Sequence, residues 1–564
     1  MSNPSRSRRH GAAEIAVLSA ATLWLLGLSN RGINPVDEGM QLLRSYEIHR
    51  GLITYRDVYS PIAPLSYFIH AALMDLFGVQ LIVGRFWAAL EGLAAVAIAL
   101  HVSRRALRPP FHLAPAALLI PFGPALSGFP HYNSTALIFF LGSVAVLVGG
   151  LDRPSVGRVF AAAVLAGLAA ITKQSLIGPA AALLVLGLYL ARTKSPAGLP
   201  RPASQLLAAA AGFALPILLL ATYYAAHSGL QEIARDLFSA LGMKRAVLLS
   251  LLPRAGMIFT AGFAPVAAGV WLGRKRPGLW PALGLAALAA GVGLAVALPV
   301  ELAGPAVCGL TAVSLLVFVR PGPDDPAAAW WLLRGFGALT LVNALMSGAD
   351  LGHLLMGATG AVFSAGLLLQ RAFAVSAIKK SRAERKLAIA GLALVIIAGL
   401  WLDLTVPHLS YAMPSRLRAT SPILQPGFTG VRTAPEQAAA LGGVVGWLRD
   451  RTDPDEKIFV YPWSQLIYVM AERLPAARDT FLYFEMFDGN VLHRLLSDLD
   501  RNRPRVIVVE MEGDRPRQVA LSSSARAFEQ WLRSRYVEAE RFGDYEIMLR
   551  NDAPAPEAAT NQER

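Results

Sequence analysis

Two adjacent acids, Asp37 and Glu38, stand in the stretch NPVDEGMQLLRSYEIHRG (Asn34 to Gly51), a few residues after a long apolar run. A carboxylate in such a place can take a proton from a hydroxyl as a general base. It can also do no chemistry and simply stabilise the first turn of a helix through the helix dipole. On a helix, neighbouring side chains project about 100° apart, so the two acids do not act as a matched pair. Three cations, Arg56, Arg85 and Lys173, could bind an anion near them. Each has an ordinary alternative: a long basic side chain snorkels to a membrane border, and Arg85 could pair with Glu91 inside the next apolar run. His131, Tyr132 and Asn133 in FPHYNS could line a pocket, although His and Tyr also serve as interfacial belt residues. Asp350 and His353 in SGADLGH, three apart, would share a helical face and could hold a polar ligand or a metal ion. Two ligands do not make a metal site, and a helix cap with a satisfied histidine fits as well. The pattern calls for no cofactor and does not indicate a divalent metal.

The elements that must carry these residues follow from composition. The chain has 564 residues, 54% of them hydrophobic and only 16% charged, and its mean hydropathy is +0.46. This exceeds ordinary globular usage and implies an all-α polytopic membrane protein. After a first run at Ala12–Ser29, apolar runs follow at Leu81–Val102, Phe111–Leu126, Ser134–Leu151, Val159–Ile171, Leu176–Ala191 and Leu206–Ala226. Others stand at Met257–Leu272, Leu279–Val300, Leu302–Val319, Gly335–Ser347, Leu354–Leu369 and Leu387–Val406. Together they predict about thirteen transmembrane helices. The first run follows a basic segment, residues 1–10, and lacks a small-x-small cleavage site, so it reads as an uncleaved helix rather than a signal peptide.

A net charge of +14 could suggest nucleic acid, but in a membrane protein excess Lys and Arg mark cytoplasmic loops facing anionic lipid. Every second connection carries them: Arg104, Arg105 and Arg108; Arg153 and Arg158; Arg192, Lys194 and Arg201; Arg274, Lys275 and Arg276; Arg320; and a cluster from Arg371 to Lys386. This threading puts the N-terminus in the cytoplasm. It puts the opposite connections outside, among them the long first loop (31–80), FPHYNS, TKQS and SGADLGH. Lys244, Arg245 and Arg254 stand in an outer loop against the rule, a hint of an anionic head group. No GxxxxGK[ST] phosphate loop occurs, so any chemistry is expected outside and independent of nucleotides. The single cysteine, Cys308, excludes an intrachain disulfide and reads as a small buried hydrophobe.

Within the first loop, Met40, Leu42, Leu43, Tyr46 and Ile48 predict a partly amphipathic helix lying on the membrane face and ended by Gly51. An extended stretch around Tyr55–Tyr59 and a second short helix towards Phe77 and Gly78 follow. After Pro407 charged residues intersperse with short apolar runs, and residues 407–550 predict a small α/β domain outside the cytoplasm. Its strands are expected at Lys457–Tyr461, Arg505–Val509 and Tyr545–Leu549. Its helices are expected at Glu436–Arg451, Ser464–Arg473, Gly489–Asp500 and Ala525–Arg535. PWSQ and FLYFEMF offer aromatic surfaces for sugar rings or for a core. The composition of the tail, 551–564, predicts disorder.

The series DEG, helix, HRGLITYRDVYSPIAPLSYFIHAALMDLFG, then GRFWAALEG, resembles the first loop and second helix of GT-C superfamily membrane glycosyltransferases. The likeness is to the bacterial branch related to protein O-mannosyltransferases and lipid A aminoarabinose transferases. It is dense over about Asn34 to Gly92, and the HYN, TKQS and ADLGH loops look similar too. It implies an integral protein of the bacterial inner (plasma) membrane that uses a polyprenyl-phosphate sugar, as a hexosyl- or pentosyltransferase. The acceptor would be a lipid, glycan or protein, the surrounding partners membrane lipids, with no nucleic acid. In that frame Asp37 is the general base and Glu38 its helper or ion-pair partner. Arg56, Arg85 and Lys173 bind the donor phosphate, and His131, Tyr132, Asn133, Asp350 and His353 bind acceptor or sugar. The sequence departs from the pattern where many relatives have a Lys before a Pro-Pro pair: Ser60, Pro61, Ile62, Ala63 and Pro64 stand there, with Arg56 or Arg85 as substitutes. A transporter or flippase of a lipid-linked glycan is the rival. It would place polar residues and broken helices near the bilayer midplane, in repeated halves. Here the polar residues gather at one face.

Overall fold

The computed structural model describes residues 4–123, 128–151, 155–194, 202–227, 230–239, 326–346, scattered positions between 359 and 370, 382–405, 413–482, 487–512, 515–516 and 522–552. The runs Met257–Leu272, Leu279–Val300 and Leu302–Val319 lie outside these residues, as does most of Leu354–Leu369. So do Asp350, His353, Lys244, Arg245, Arg254 and Cys308, and the tail beyond Asp552.

The amino-terminal part is helical: α1 (Pro4–Leu28), α2 (Asp37–His49), α3 (Leu65–Phe77), α4 (Leu81–Ala106), α5 (Leu113–Phe122) and α6 (Tyr132–Gly150). Next come α7 (Val156–Thr172), a 3-10 turn at Gln174–Leu176, α8 (Ile177–Lys194), α9 (Pro202–His227) and α10 (Leu230–Ser239). Two further helices, Ala327–Met346 and Arg382–Thr405, precede the carboxy-terminal part. Among the described residues five helices are long and apolar enough to cross a membrane: Gly11–Leu28, Leu81–Ala106, Tyr132–Gly150, Gln174–Thr193 and Pro202–His227. Helix α5 is shorter than the run Phe111–Leu126 suggested, at ten residues with Pro121 inside it. At 1.5 Å per residue it covers about half of a bilayer core.

Small residues set the helix spacing. A Cβ added at Gly167 of α7 would stand 2.6 Å from the Phe213 carbonyl oxygen of α9, and one at Gly212 of α9 would stand 2.5 Å from the Phe160 carbonyl oxygen. Ala162, Ala163, Ala166 and Ala169 continue this buried face. In lipid, where no hydrophobic drive pulls helices together, such close backbone approach is what dispersion packing requires.

The bundle has two unlike ends. At one, Arg104 of α4 pairs with Glu14 of α1, and Arg158 of α7 donates to the Gly149 carbonyl of α6 at 3.2 Å. At the other stand the carboxyl end of α1, the amino ends of α4 and α6, and the carboxyl end of α7. They carry Ser29, Arg85, His131 and Thr172 respectively. Two arginines close the last turn of α1: Arg416 donates to the Leu28 carbonyl (3.0 Å) and Arg85 to the Ser29 carbonyl (3.3 Å). Each holds a carboxylate as well, Asp403 and Glu38, and between them lies a small cleft walled by Trp24, Leu25, Ala88 and Ala89.

The carboxy-terminal part contains the pair β1 (Ser421–Pro422) and β2 (Arg432–Thr433), then β3 (Phe459–Tyr461), β4 (Val506–Glu512), β5 (Arg515–Pro516), β6 (Tyr536–Phe542) and β7 (Tyr545–Arg550). The main sheet runs β3-β4-β7-β6, with β3 and β4 parallel and the rest antiparallel, while β5 pairs with β4. Strand alternation divides the core: Val506 and Val508 face one layer with the helices Pro435–Arg451 and Leu466–Ala471. Ile507 and Val509 face the helices Gly489–Asn502 and Ser523–Arg535. The strand β6 is absent from the sequence reading because its residues Val537 to Arg541 are exposed and mostly charged, the composition of a protected edge.

One expectation needs correcting. Helix α2 does not lie on an open membrane face: every residue from Glu38 to Glu47 is buried. Leu42, Leu43 and Tyr46 share one core with Met74, Leu81, Ile458, Val460, Val506 and Val508, so the sheet covers the first loop. Partial amphipathicity misled because the polar residues of α2 are buried too, and three of them, Glu38, Gln41 and Arg44, meet partners from other elements: Arg85, Ser66 and Thr480.

Candidate functional site

The site is built on the first turn of α2. Asn34, fully buried, accepts at its side-chain oxygen from the Val36 and Asp37 backbone N–H groups, at 3.0 and 2.9 Å. It therefore satisfies two of the donors that a helix start leaves open. Its backbone N–H in turn points to a Glu38 carboxylate oxygen at 3.4 Å, a reciprocal arrangement like that of a capping box. Its amide also reaches Asp37 Oδ2 at 3.4 Å, so Asn34 holds the acid as well as the turn. Sequence reasoning passed over Asn34, although Asn followed by Pro is a turn-initiation signal.

The two acids have different surroundings. Arg85 grips Glu38 with two bonds, Nε to Oε1 at 2.7 Å and Nη2 to Oε2 at 2.6 Å, and both side chains are fully buried. Burial pushes the Glu38 carboxyl above its ordinary range, and the guanidinium pulls the other way. Asp37, next to it, is half-buried. Arg85 thus pairs with Glu38 rather than Glu91, and one Glu91 oxygen accepts instead from the Trp87 indole (2.9 Å) and the Thr135 hydroxyl (2.6 Å).

One turn on, Gln41 bonds the Ser66 hydroxyl at 3.1 Å, which joins α2 to α3. The loop before α6 presses into the same place: a Cβ at Gly84 would stand 2.7 Å from Pro130 and 3.6 Å from Leu42. His131 caps α6 by accepting from the Asn133 N–H at 3.2 Å, and its ring stacks on Tyr132 with centroids 4.5 Å apart. Tyr132 packs with Met40, Ile62 and Tyr67, with Phe481 of the carboxy-terminal part against them.

Lys173, 2% exposed at the end of α7, holds its ammonium 5.9 Å from the centre of the Tyr132 ring. Its neighbour Gln174 fastens the loop Ser60–Pro64, donating to the Pro61 carbonyl (2.6 Å) and accepting from the Ala63 N–H (3.2 Å). The cation brought to this loop is therefore Lys173, from a different part of the chain. Arg56 stands apart, half-exposed, gripping Asp57 with two bonds (2.8 and 2.7 Å). The first loop thus brings together Asp37, Glu38, Arg85, His131, Tyr132, Asn133 and Lys173, and leaves Arg56 on the surface. Among the described residues no three His, Cys, Asp or Glu side chains gather as metal ligands. A half-buried carboxylate on a capped turn can remove a proton, and a buried ammonium can stabilise a developing anion.

No protein-family model matches the chain, and no curated protein matches it. Among solved structures it is similar to ArnT from Cupriavidus metallidurans bound to undecaprenyl phosphate, with 15% identity, 95% of this chain and 97% of that chain covered, and a TM-score of 0.44. It is also similar to the Archaeoglobus fulgidus oligosaccharyltransferase tethered with an acceptor peptide, with 12% identity, 93% and 72% covered, and a TM-score of 0.48. A third likeness is to the S. cerevisiae protein O-mannosyltransferase Pmt1-Pmt2 complex bound to the sugar donor, with 15% identity, 39% and 34% covered, and a TM-score of 0.31. The functional reading below rests on the site itself.

Proposed function

We propose that this protein is a multi-pass membrane glycosyltransferase of the GT-C kind. It transfers a sugar from a polyprenyl-phosphate donor to an acceptor hydroxyl at the outer face of the membrane, with Asp37 as general base. The observation that carries this reading is the division of labour in the first turn of α2. Glu38 is neutralised by Arg85, whereas Asp37 is half-buried and oriented by Asn34. In the reaction Asp37 takes the acceptor hydroxyl's proton and the acceptor oxygen bonds the anomeric carbon. The bond from that carbon to the phosphate oxygen breaks, and polyprenyl phosphate leaves with the electron pair. Lys173 balances the charge that grows on the phosphate, a task worth most in a site sheltered from water. His131, Tyr132 and Asn133 contact the sugar or acceptor, and Arg85 acts through Glu38 as a positioning residue. The basic end of the bundle is cytoplasmic, and residues 407–550 form an extracytoplasmic domain over the site.

The test is incubation of purified protein with a panel of polyprenyl-phosphate-linked hexoses and pentoses. Consumption of one donor, lost in D37N, is the expected result. Movement of a lipid-linked glycan across vesicles with no donor consumed would replace the transferase with the transporter reading.

A further inference from the structure

The carboxy-terminal part touches the catalytic turn through Leu466. Leu466 donates its N–H to the Pro35 carbonyl at 3.1 Å, and Gly39 comes so close that a Cβ there would stand 2.3 Å from Leu466 N and 3.0 Å from Gln465 C. Only a residue without a side chain allows this approach. Pro35 and Gly39 bracket Asp37, so the backbone of Gln465 lies within about one helical turn of the base.

The Gln465 side chain is fully buried and runs along this seam. Its amide nitrogen donates to the Thr480 carbonyl at 2.7 Å, and Arg44 of α2 bonds the Thr480 hydroxyl. Phe481, the next residue, packs on the Met40, Tyr67 and Tyr132 cluster. The Gln465 amide oxygen has no hydrogen-bond partner among the described residues. A buried acceptor left this way costs about 1–3 kcal/mol, and a donor brought by a ligand would remove that cost.

We propose that Gln465 and Phe481 form an acceptor subsite that recognises a sugar-bearing acceptor, the Gln465 oxygen accepting from one ring hydroxyl while Phe481 lies against the ring's C–H face. An amide oxygen and an aromatic ring, joined here through Thr480, are suited to a carbohydrate, which offers hydroxyl donors around an apolar ring face. The acceptor therefore carries at least two hydroxyls, one for Asp37 and one for Gln465. This assignment rests on the transferase reading and adds the acceptor's class.

The experiment uses the full-length protein in lipid nanodiscs with the polyprenyl-phosphate sugar that it consumes. The acceptor probes are methyl glycosides, their monodeoxy analogues and a serine/threonine peptide. A methyl glycoside is accepted, and Q465L raises its KM about 10-fold, with a smaller change in kcat. Q465L also erases the preference over one monodeoxy analogue. Monodispersity and Tm report whether Q465L folds. A benzophenone side chain in place of Phe481 gives an independent readout, by crosslinking to the accepted glycoside. An unchanged KM and deoxy preference in folded Q465L overturns the subsite, as does transfer to the peptide with no glycoside accepted, or absence of a crosslink. If the wild type consumes no donor at all, the transferase reading falls first, and this assignment with it.

Discussion

Helix α2 is held along two seams, and they differ in how they grip it. Toward the membrane bundle, Glu38 meets Arg85 with a two-bond grip, and Gln41 meets Ser66. Toward the sheet, Arg44 meets Glu47 and Thr480, yet one Glu47 oxygen and the Gln465 oxygen are buried without a partner among the described residues. The first seam fixes the turn; the second has capacity for another donor. A site that binds lipid-borne donor and water-borne acceptor needs both, a rigid base on one side and an adaptable wall on the other.

Breaking the bundle seam has the largest expected effect. E38Q leaves the Arg85 charge buried without its carboxylate and costs about 3–5 kcal/mol, seen as a large fall in Tm and in folded yield. On the sheet seam, G39A forces a Cβ into the Leu466 backbone and costs about 1–3 kcal/mol by overpacking. Limited proteolysis that frees the carboxy-terminal part in G39A but not in E38Q would show that the seams are separate. N34A removes the cap that they share and costs about 1 kcal/mol, with a greater loss in kcat than in Tm. An equal Tm and unchanged kcat would deny Asn34 its hold on Asp37.

The smallest effect is one of pH. Burial pushes the Glu47 carboxyl from 4.5 up to about 7, against the pull of Arg44. Because the folded value lies above the unfolded one, its contribution to stability is present below about 4.5 and is lost as pH rises through about 7. Tm measured between pH 5 and pH 7.5 therefore falls less steeply in E47Q than in the wild type. Parallel slopes would mean that Glu47 does not titrate in this range.

How much of this was readable beforehand differs residue by residue. The apolar runs and the alternation of basic loops separate the two ends of the bundle, because lipid imposes length and charge rules directly on the sequence. Helical geometry points Asp37 and Glu38 in different directions, and the expectation that Asp37 is the base comes from the family resemblance. Their partners are not legible in this way: Arg85 lies 47 positions from Glu38, and nothing local in the sequence favours Glu38 over Glu91 as the arginine's mate. Gln465 was visible only as part of an aromatic-flanked PWSQ, since its proximity to Pro35 and Gly39 depends on how the sheet sits over the first loop. Burial of α2 was hidden for the same reason. Lys173 was named as one of three equal cations, and its connection to the Ser60–Pro64 loop runs through Gln174, which carries no such signal in sequence.

The most direct test of Asp37 as the base is turnover of the polyprenyl-phosphate sugar by purified D37N beside the wild type, with Tm measured on the same samples. Loss of a general base lowers the rate by about 10²–10⁴-fold, and D37N is expected to lose that much while its Tm stays close to that of the wild type. Near-normal turnover by folded D37N would contradict the assignment.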